Sequence, residues 1–146
     1  MGTIKSLNKW ANAHTYYPLD VLRIALGVFL FMKGVHFVSN TELLVELIKP
    51  LNTYAGSMIL AHYVAASHLV GGILIAFGLL TRWAIIVQIP VLIGAILVNF
   101  MGGFNTANLL LASATFLVCV FFVFYGSGKH SVDYYLKMQM KLGNKL

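Results

Sequence analysis

Residues 83–101 read WAIIVQIPVLIGAILVNFM, an unbroken apolar run with no charged side chain. As a helix rising about 1.5 Å per residue, such a run covers about 30 Å, the thickness of a bilayer's hydrocarbon core. Three further runs of the same kind lie around it, at about 19–38, 58–80 and 107–126. The fold predicted is an all-α membrane protein, a four-transmembrane-helix bundle forming a single domain over residues 1–146. What lies outside the spans is an N-terminal arm, one outer loop, two tight turns and a short tail, too little for a soluble catalytic domain. Composition agrees: 60% of residues are hydrophobic and only 10% charged, where a soluble globular protein carries about a quarter. A soluble enzyme, a secreted domain and a disordered tail are all excluded.

The ten Lys and Arg against four Asp and Glu give a net charge of +6, and their placement makes this a topology signal. Lys5, Lys9, Arg82, Lys129, Lys137, Lys141 and Lys145 flank the spans on one side, Lys49 alone lies on the other, and Arg23 and Lys33 fall inside the first span. Both termini are therefore expected in the cytoplasm, with anionic lipid headgroups rather than nucleic acid as the partner of the basic face. No cleavable signal peptide is expected, because the first apolar run starts late and carries Asp20, Arg23 and Lys33.

Short interfacial helices are predicted outside the spans. Ile4, Leu7, Trp10 and Ala11 recur at helical spacing opposite Lys5, Asn8, Lys9 and Asn12. In the outer loop Thr41 reads as an N-cap, with Glu42 in the first turn and Leu43, Leu44, Leu47 and Ile48 before Pro50, a lid over the outer end. Ser131 reads as the cap of a last helix with Asp133 in its first turn, and Tyr134, Tyr135, Met138 and Leu142 at the interface.

Polar groups inside the spans are the candidates for function, since an ionisable side chain at the centre of a membrane costs about 2.5–3.5 kcal/mol on insertion scales. By helical rise Lys33 lies about 21 Å from the inner edge, His36 about 25 Å and His62 about 24 Å, with Asn99 level with them. These four are expected to form a polar belt in the outer half, with His68 beneath it near the midplane. The belt suits the head group of a quinone or another lipophilic ligand, held by hydrogen bonds and exchanging protons with histidine. Helix-packing glue is the competing reading. Haem and metal are not expected: His62 and His68 are six residues apart and share no face, and no carboxylate of the outer half completes a shell.

At the inner end Asp20 and Arg23 are spaced to pair along one face, Arg23 having lipid phosphate or the Asp133 segment as other partners, and Arg82 lies in the turn between the second and third spans. Gly27 and Gly34 on the first helix, and Ser67, Gly71, Gly72 and Gly78 on the second, make small-residue faces for close helix contact. Pro90 is expected to kink the third span and free carbonyls for Gln88 or a neighbour. Cys119, the only cysteine, sits among valines as inert filler, which leaves no dithiol chemistry.

Three motifs give the chain its likeness: Leu22-Arg23 with Leu26-Gly27 and Gly34; Gly71-Gly72 with Gly78 and Leu79-Leu80-Thr81-Arg82; and Gly126-Ser127-Gly128 with Ser131 and Asp133. Between Leu19 and Leu136 the chain resembles the DoxX family, small four-helix proteins of the bacterial inner membrane. The resemblance implies a multi-pass protein of that membrane and a redox setting, since relatives form the membrane subunit of a thiosulfate:quinone oxidoreductase. It also implies a protein partner carrying soluble redox machinery, and leaves a homo-oligomer open. The sequence departs from the family's pattern where acids are frequent: His68 stands three residues before Gly71, and Thr106, Ala107 and Asn108 open the fourth span. Lys33-Gly34 replaces a His-Gly pair. Such exchanges alter which protonation state a pocket favours.

The expected function is that of an integral membrane subunit of a redox-associated complex, an oxidoreductase subunit without covalent chemistry of its own. A non-catalytic scaffold is the alternative, and a small-solute carrier ranks below both for want of an internal repeat. Reporter fusions test the topology: a cytoplasm-active reporter should work at both termini, and a periplasm-active one only within residues 40–52 and at the turn 102–106.

Overall fold

The computed structural model describes residues 16–49, 54–101 and 105–143, together with Ser6, Lys9, Trp10 and Ala13. Among these residues there are six helices: α1 (Tyr17–Ser39), α2 (Thr41–Ile48), α3 (Tyr54–Phe77), α4 (Thr81–Met101), α5 (Thr106–Tyr125) and α6 (Val132–Gly143). Four of them, α1, α3, α4 and α5, are long and apolar enough to cross a membrane. Their outer surface bears this out: Ile59 is 75% exposed, Leu117 67% and Leu110 66%, side chains that only lipid can cover at such density. The chain is a multi-pass integral membrane protein.

Contact between α1 and α3 is the most extensive, α4 packs on both α3 and α5, and α5 barely reaches α1. The core follows that order. Leu26 and Leu30 of α1, Ile75 of α3, Ala84, Ile85 and Leu92 of α4, and Cys119, Phe122 and Tyr125 of α5 form one buried cluster. A second, at the α2 end, joins Leu44 and Ile48 to Ala61, Val64 and Val91. α2 therefore does lie over one end of the bundle, with Leu44 and Ile48 turned inward and Leu43 and Leu47 exposed. The N-terminal amphipathic segment lies outside the described residues except for Ser6, Lys9 and Trp10, which are helical and exposed. Pro50 is outside them as well.

In lipid, apolar surface gives little drive for helices to associate, so close packing must supply it. Gly27 and Gly72 meet backbone to backbone. A Cβ at Gly27 would lie 2.4 Å from the Ala76 amide nitrogen and 2.7 Å from the Gly72 carbonyl, and one at Gly72 would lie 2.5 Å from the Phe31 nitrogen. Gly34 repeats the contact one layer on, where a Cβ would fall 2.7 Å from the Leu69 nitrogen. Gly71 points elsewhere, toward Gln88 and Ala84 of α4. Adjacent helical residues differ by about 100°, so the Gly-Gly pair addresses two neighbouring helices.

Several boundaries differ from the sequence reading. The second span stops at Phe77, not 80, because Gly78 at φ +72° closes a Schellman turn: its amide bonds the Ile75 carbonyl at 3.1 Å, and the Leu79 amide bonds the Leu74 carbonyl at 2.8 Å. Thr41 is not the cap of α2. Asn40 holds that position, while the Thr41 hydroxyl donates to the Phe37 and Val38 carbonyls, satisfying the open end of α1 instead. At Pro90 the helix continues, and Gln88 supplies no bond; the Tyr63 hydroxyl donates to the nearby Val87 carbonyl at 3.4 Å. Ser131 does cap α6, accepting from the Tyr134 amide at 3.2 Å.

Alanine at Gly27 or Gly72 should force α1 and α3 apart and lower the unfolding midpoint in detergent by 10 °C or more, or prevent folding. Gly94 of α4, with nothing within 4 Å of an added Cβ, should accept alanine without loss.

Candidate functional site

Two polar regions stand out, one at each end of the bundle. At the base, where the α3–α4 turn and α6 meet, Arg23 is 2% exposed and its guanidinium reaches across to the chain after α5. It donates to the carbonyls of Ser127 and, at 3.1 Å, of His130, and lies 3.8 Å from the Asp20 carboxylate. Asp20 in turn accepts from His130 at 2.7 Å, and the His130 ring stacks on Tyr17 at 5.1 Å. Sequence spacing gave the Asp20–Arg23 pair; the alternative of lipid phosphate for Arg23 is overturned by its burial. His130 and Tyr17 were missed, because a loop histidine has no periodicity to place it.

Asp133 completes this base. Its carboxylate accepts from the Leu80 amide at 3.0 Å, and its own amide donates to the Gly78 carbonyl at 3.2 Å. Arg82 donates to the Phe124 carbonyl at 3.1 Å, tying α4 to the end of α5. The Ser131 hydroxyl donates to the Gly128 carbonyl at 2.8 Å. Every member of this region that was picked from sequence, Asp20, Arg23, Arg82, Ser131 and Asp133, is engaged with backbone or with another member. Chemically it is a clasp.

The other end carries the expected belt, and the structure divides it. His36 is exposed and bonded to Asn40 at 3.3 Å. The Asn99 side-chain oxygen accepts from the Asn105 amide at 3.1 Å, and Asn105 caps α5 by accepting from the Asn108 amide, so this asparagine secures the α4–α5 connection. Asn105 was missed in sequence, although Asn before an apolar run is a recognisable cap. Lys33 is half-buried with its ammonium 5.9 Å from the centre of the Phe29 ring. The five residues share one end but no hydrogen bond among themselves.

The two histidines of α3 are the chemically informative part. The Nδ1 atoms of His62 and His68 lie 2.8 Å and 2.9 Å from the carbonyls of Met58 and Val64. A carbonyl only accepts, so each Nδ1 carries the hydrogen, and each neutral ring keeps its Nε2 lone pair for another partner. His68 is buried, edge-on to Phe37 at 5.1 Å. His62 is exposed and lines a groove of about 210 Å³ with Val38, Thr41, Ala61, Ala65 and Leu69. That volume is below the usual ~300–1,000 Å³ of small-molecule sites and suits a single ring more than a whole ligand.

A four-span helical bundle, clasped at its base and offering a histidine-lined groove between α1, α2 and α3, is a small integral membrane protein with no soluble domain among its described residues. Its family is explicit in the sequence: residues 19–101, more than half of the chain, match the DoxX family model, and the chain belongs to the DoxX family. The match takes in the Arg23, Gly71-Gly72 and Thr81-Arg82 motifs, while the clasp ties in α5 and α6 beyond it. Comparison with curated proteins and with solved structures gives no match.

Replacing Arg23 by leucine removes the cation beside the buried Asp20 carboxylate and takes the donor from the Ser127 and His130 carbonyls, a change that costs about 3–5 kcal/mol when a buried pair is broken. Thermal unfolding in detergent should show a larger loss for Arg23→Leu than for Arg82→Leu, whose side chain is only partly buried. Asp133→Ala should leave the bundle folded and raise hydrogen exchange in residues 129–143.

Proposed function

We propose that this DoxX protein is the membrane subunit of a redox-associated complex and that its groove receives the ring of a quinone or similar lipophilic ligand. The observation that carries this reading is His62: an exposed imidazole in an apolar groove, its tautomer fixed by Met58 so that Nε2 is the free atom. In the neutral ring Nε2 accepts from a quinol hydroxyl; once protonated it donates to a quinone carbonyl. The tail of such a ligand stays in lipid, which fits the small volume of the groove. Lys33 and His36 add positive charge or donors at the same end, and His68 a second base of the same tautomer. Electron transfer belongs to a partner subunit, the arrangement that family likeness to thiosulfate:quinone oxidoreductase membrane subunits suggests.

The scaffold reading keeps one observation of its own: a shallow apolar groove of about 520 Å³ along α1, lined by Val21, Ile24, Ala25, Val28, Phe29 and Met32, has the shape to seat a helix of another subunit.

A photoreactive short-chain quinone separates the two. In nanodiscs, labelling should concentrate on residues 38, 61, 65 and 69 and fall at least fivefold in His62→Leu, with the fold unchanged. Labelling spread over all lipid-facing positions, or equal in the variant, would overturn quinone binding and leave the scaffold.

A further inference from the structure

Gln88 sits on α4 with none of its surface exposed, and neither its Nε2 nor its Oε1 has a hydrogen-bond partner in the protein. A primary amide in the middle of a membrane bundle is costly unless bonded, and leucine would fill the same place without that cost. Helical spacing makes its position more telling. Thr81, Gln88 and Asn99 lie seven and eleven residues apart, two and three turns, and so form one stripe of α4 that faces the core. All three are buried, and all three hold a polar side-chain atom without a partner. Of the three, Gln88 alone leaves both a side-chain nitrogen and a side-chain oxygen without a partner.

Across from Gln88 is Gly71. Unlike Gly27, Gly34 and Gly72, it is not pressed against backbone: a Cβ there would lie 3.5 Å from Gln88 Oε1 and 3.9 Å from the Ala84 carbonyl oxygen, in ordinary contact. The first glycine of the pair is therefore not required by helix approach. The space beside it is bounded by two oxygen acceptors, and the group that suits two acceptors is one with two hydrogens to donate.

We propose that Gly71 and Gln88 form an internal binding site for a water molecule, which donates to Gln88 Oε1 and to the Ala84 carbonyl at the α3–α4 contact. The site is separate from the groove at His62 and does not rest on the function proposed for it. It gives the two glycines different work: Gly72 admits the α1 backbone, and Gly71 leaves room for solvent beside an amide.

A double-mutant cycle in the full-length protein tests this by sign. Gly71→Ala places a methyl group where the water binds and strands the amide, so it should lower the unfolding midpoint by several degrees despite the steric fit and alanine's better helix propensity. In a Gln88→Leu background the same change should be neutral or raise the midpoint. If Gly71→Ala does not fold, folding regained with Gln88→Leu supports the site equally. An equal effect of Gly71→Ala in both backgrounds, or no recovery, would overturn the proposal. A structure at a resolution that shows waters gives the second arm: density within hydrogen-bond distance of Gln88 and Ala84 is expected, and a dry contact with the amide turned to a backbone carbonyl sinks it.

Discussion

The approach of α1 to α3 at Gly27 and Gly72 is the contact on which the rest of the bundle depends. Apolar side chains lose little by facing lipid instead of each other, so hydrophobicity keeps these helices in the membrane without deciding how they pair. Pairing comes from backbones close enough for dense dispersion contact, and such distances exclude every residue with a Cβ. Once α1 and α3 are fixed in this way, Leu26, Leu30 and Ile75 share a core with α4 and α5. Gly34 against Leu69 then sets the same register nearer the α2 end.

Close packing in the middle is combined with polar bonds at the ends. The base is held by Arg23, Asp20, Arg82, Ser131 and Asp133, acting largely on backbone carbonyls and amides that would otherwise be unpaired at helix termini. At the other end Thr41 and Asn99 do the corresponding work on α1 and on the α4–α5 connection. The histidines of α3 differ from all of these. Their single bonds are local, to the carbonyl four residues back, and each ring keeps one nitrogen that no helix end requires. That contrast is what separates a candidate ligand group from a structural one here.

The four spans were legible because a bilayer demands about 20 apolar residues and little else produces such runs. The base was legible in part: Asp20 and Arg23 share a helix, and periodicity relates residues on one helix. His130 and Ser127 are over 100 residues away from them, a distance no periodicity bridges. The belt failed as a single unit for a related reason. Helical rise gives the depth of Lys33, His36, His62 and Asn99, yet depth says nothing of azimuth, and Asn99 turned out to be committed to Asn105. Thr41 was misplaced because a threonine at a helix junction can serve either neighbour. The Gly-Gly pair was recognised as a packing face, but only the fold shows its two glycines facing different helices.

The separation along the chain between Arg23 and its acceptors also sets an order of events. The carbonyls it bonds lie 104 and 107 residues downstream, after the last span. A growing chain enters the membrane from its N-terminus, so the first helix is inserted long before the residues that receive its guanidinium have been synthesised. Until then the charge has only Asp20, one turn away, to moderate it. Completion of the last span thus does more than add a helix: it supplies the groups that let the first one settle, and a chain interrupted before Ser127 carries a mark of its incompleteness in its opening segment.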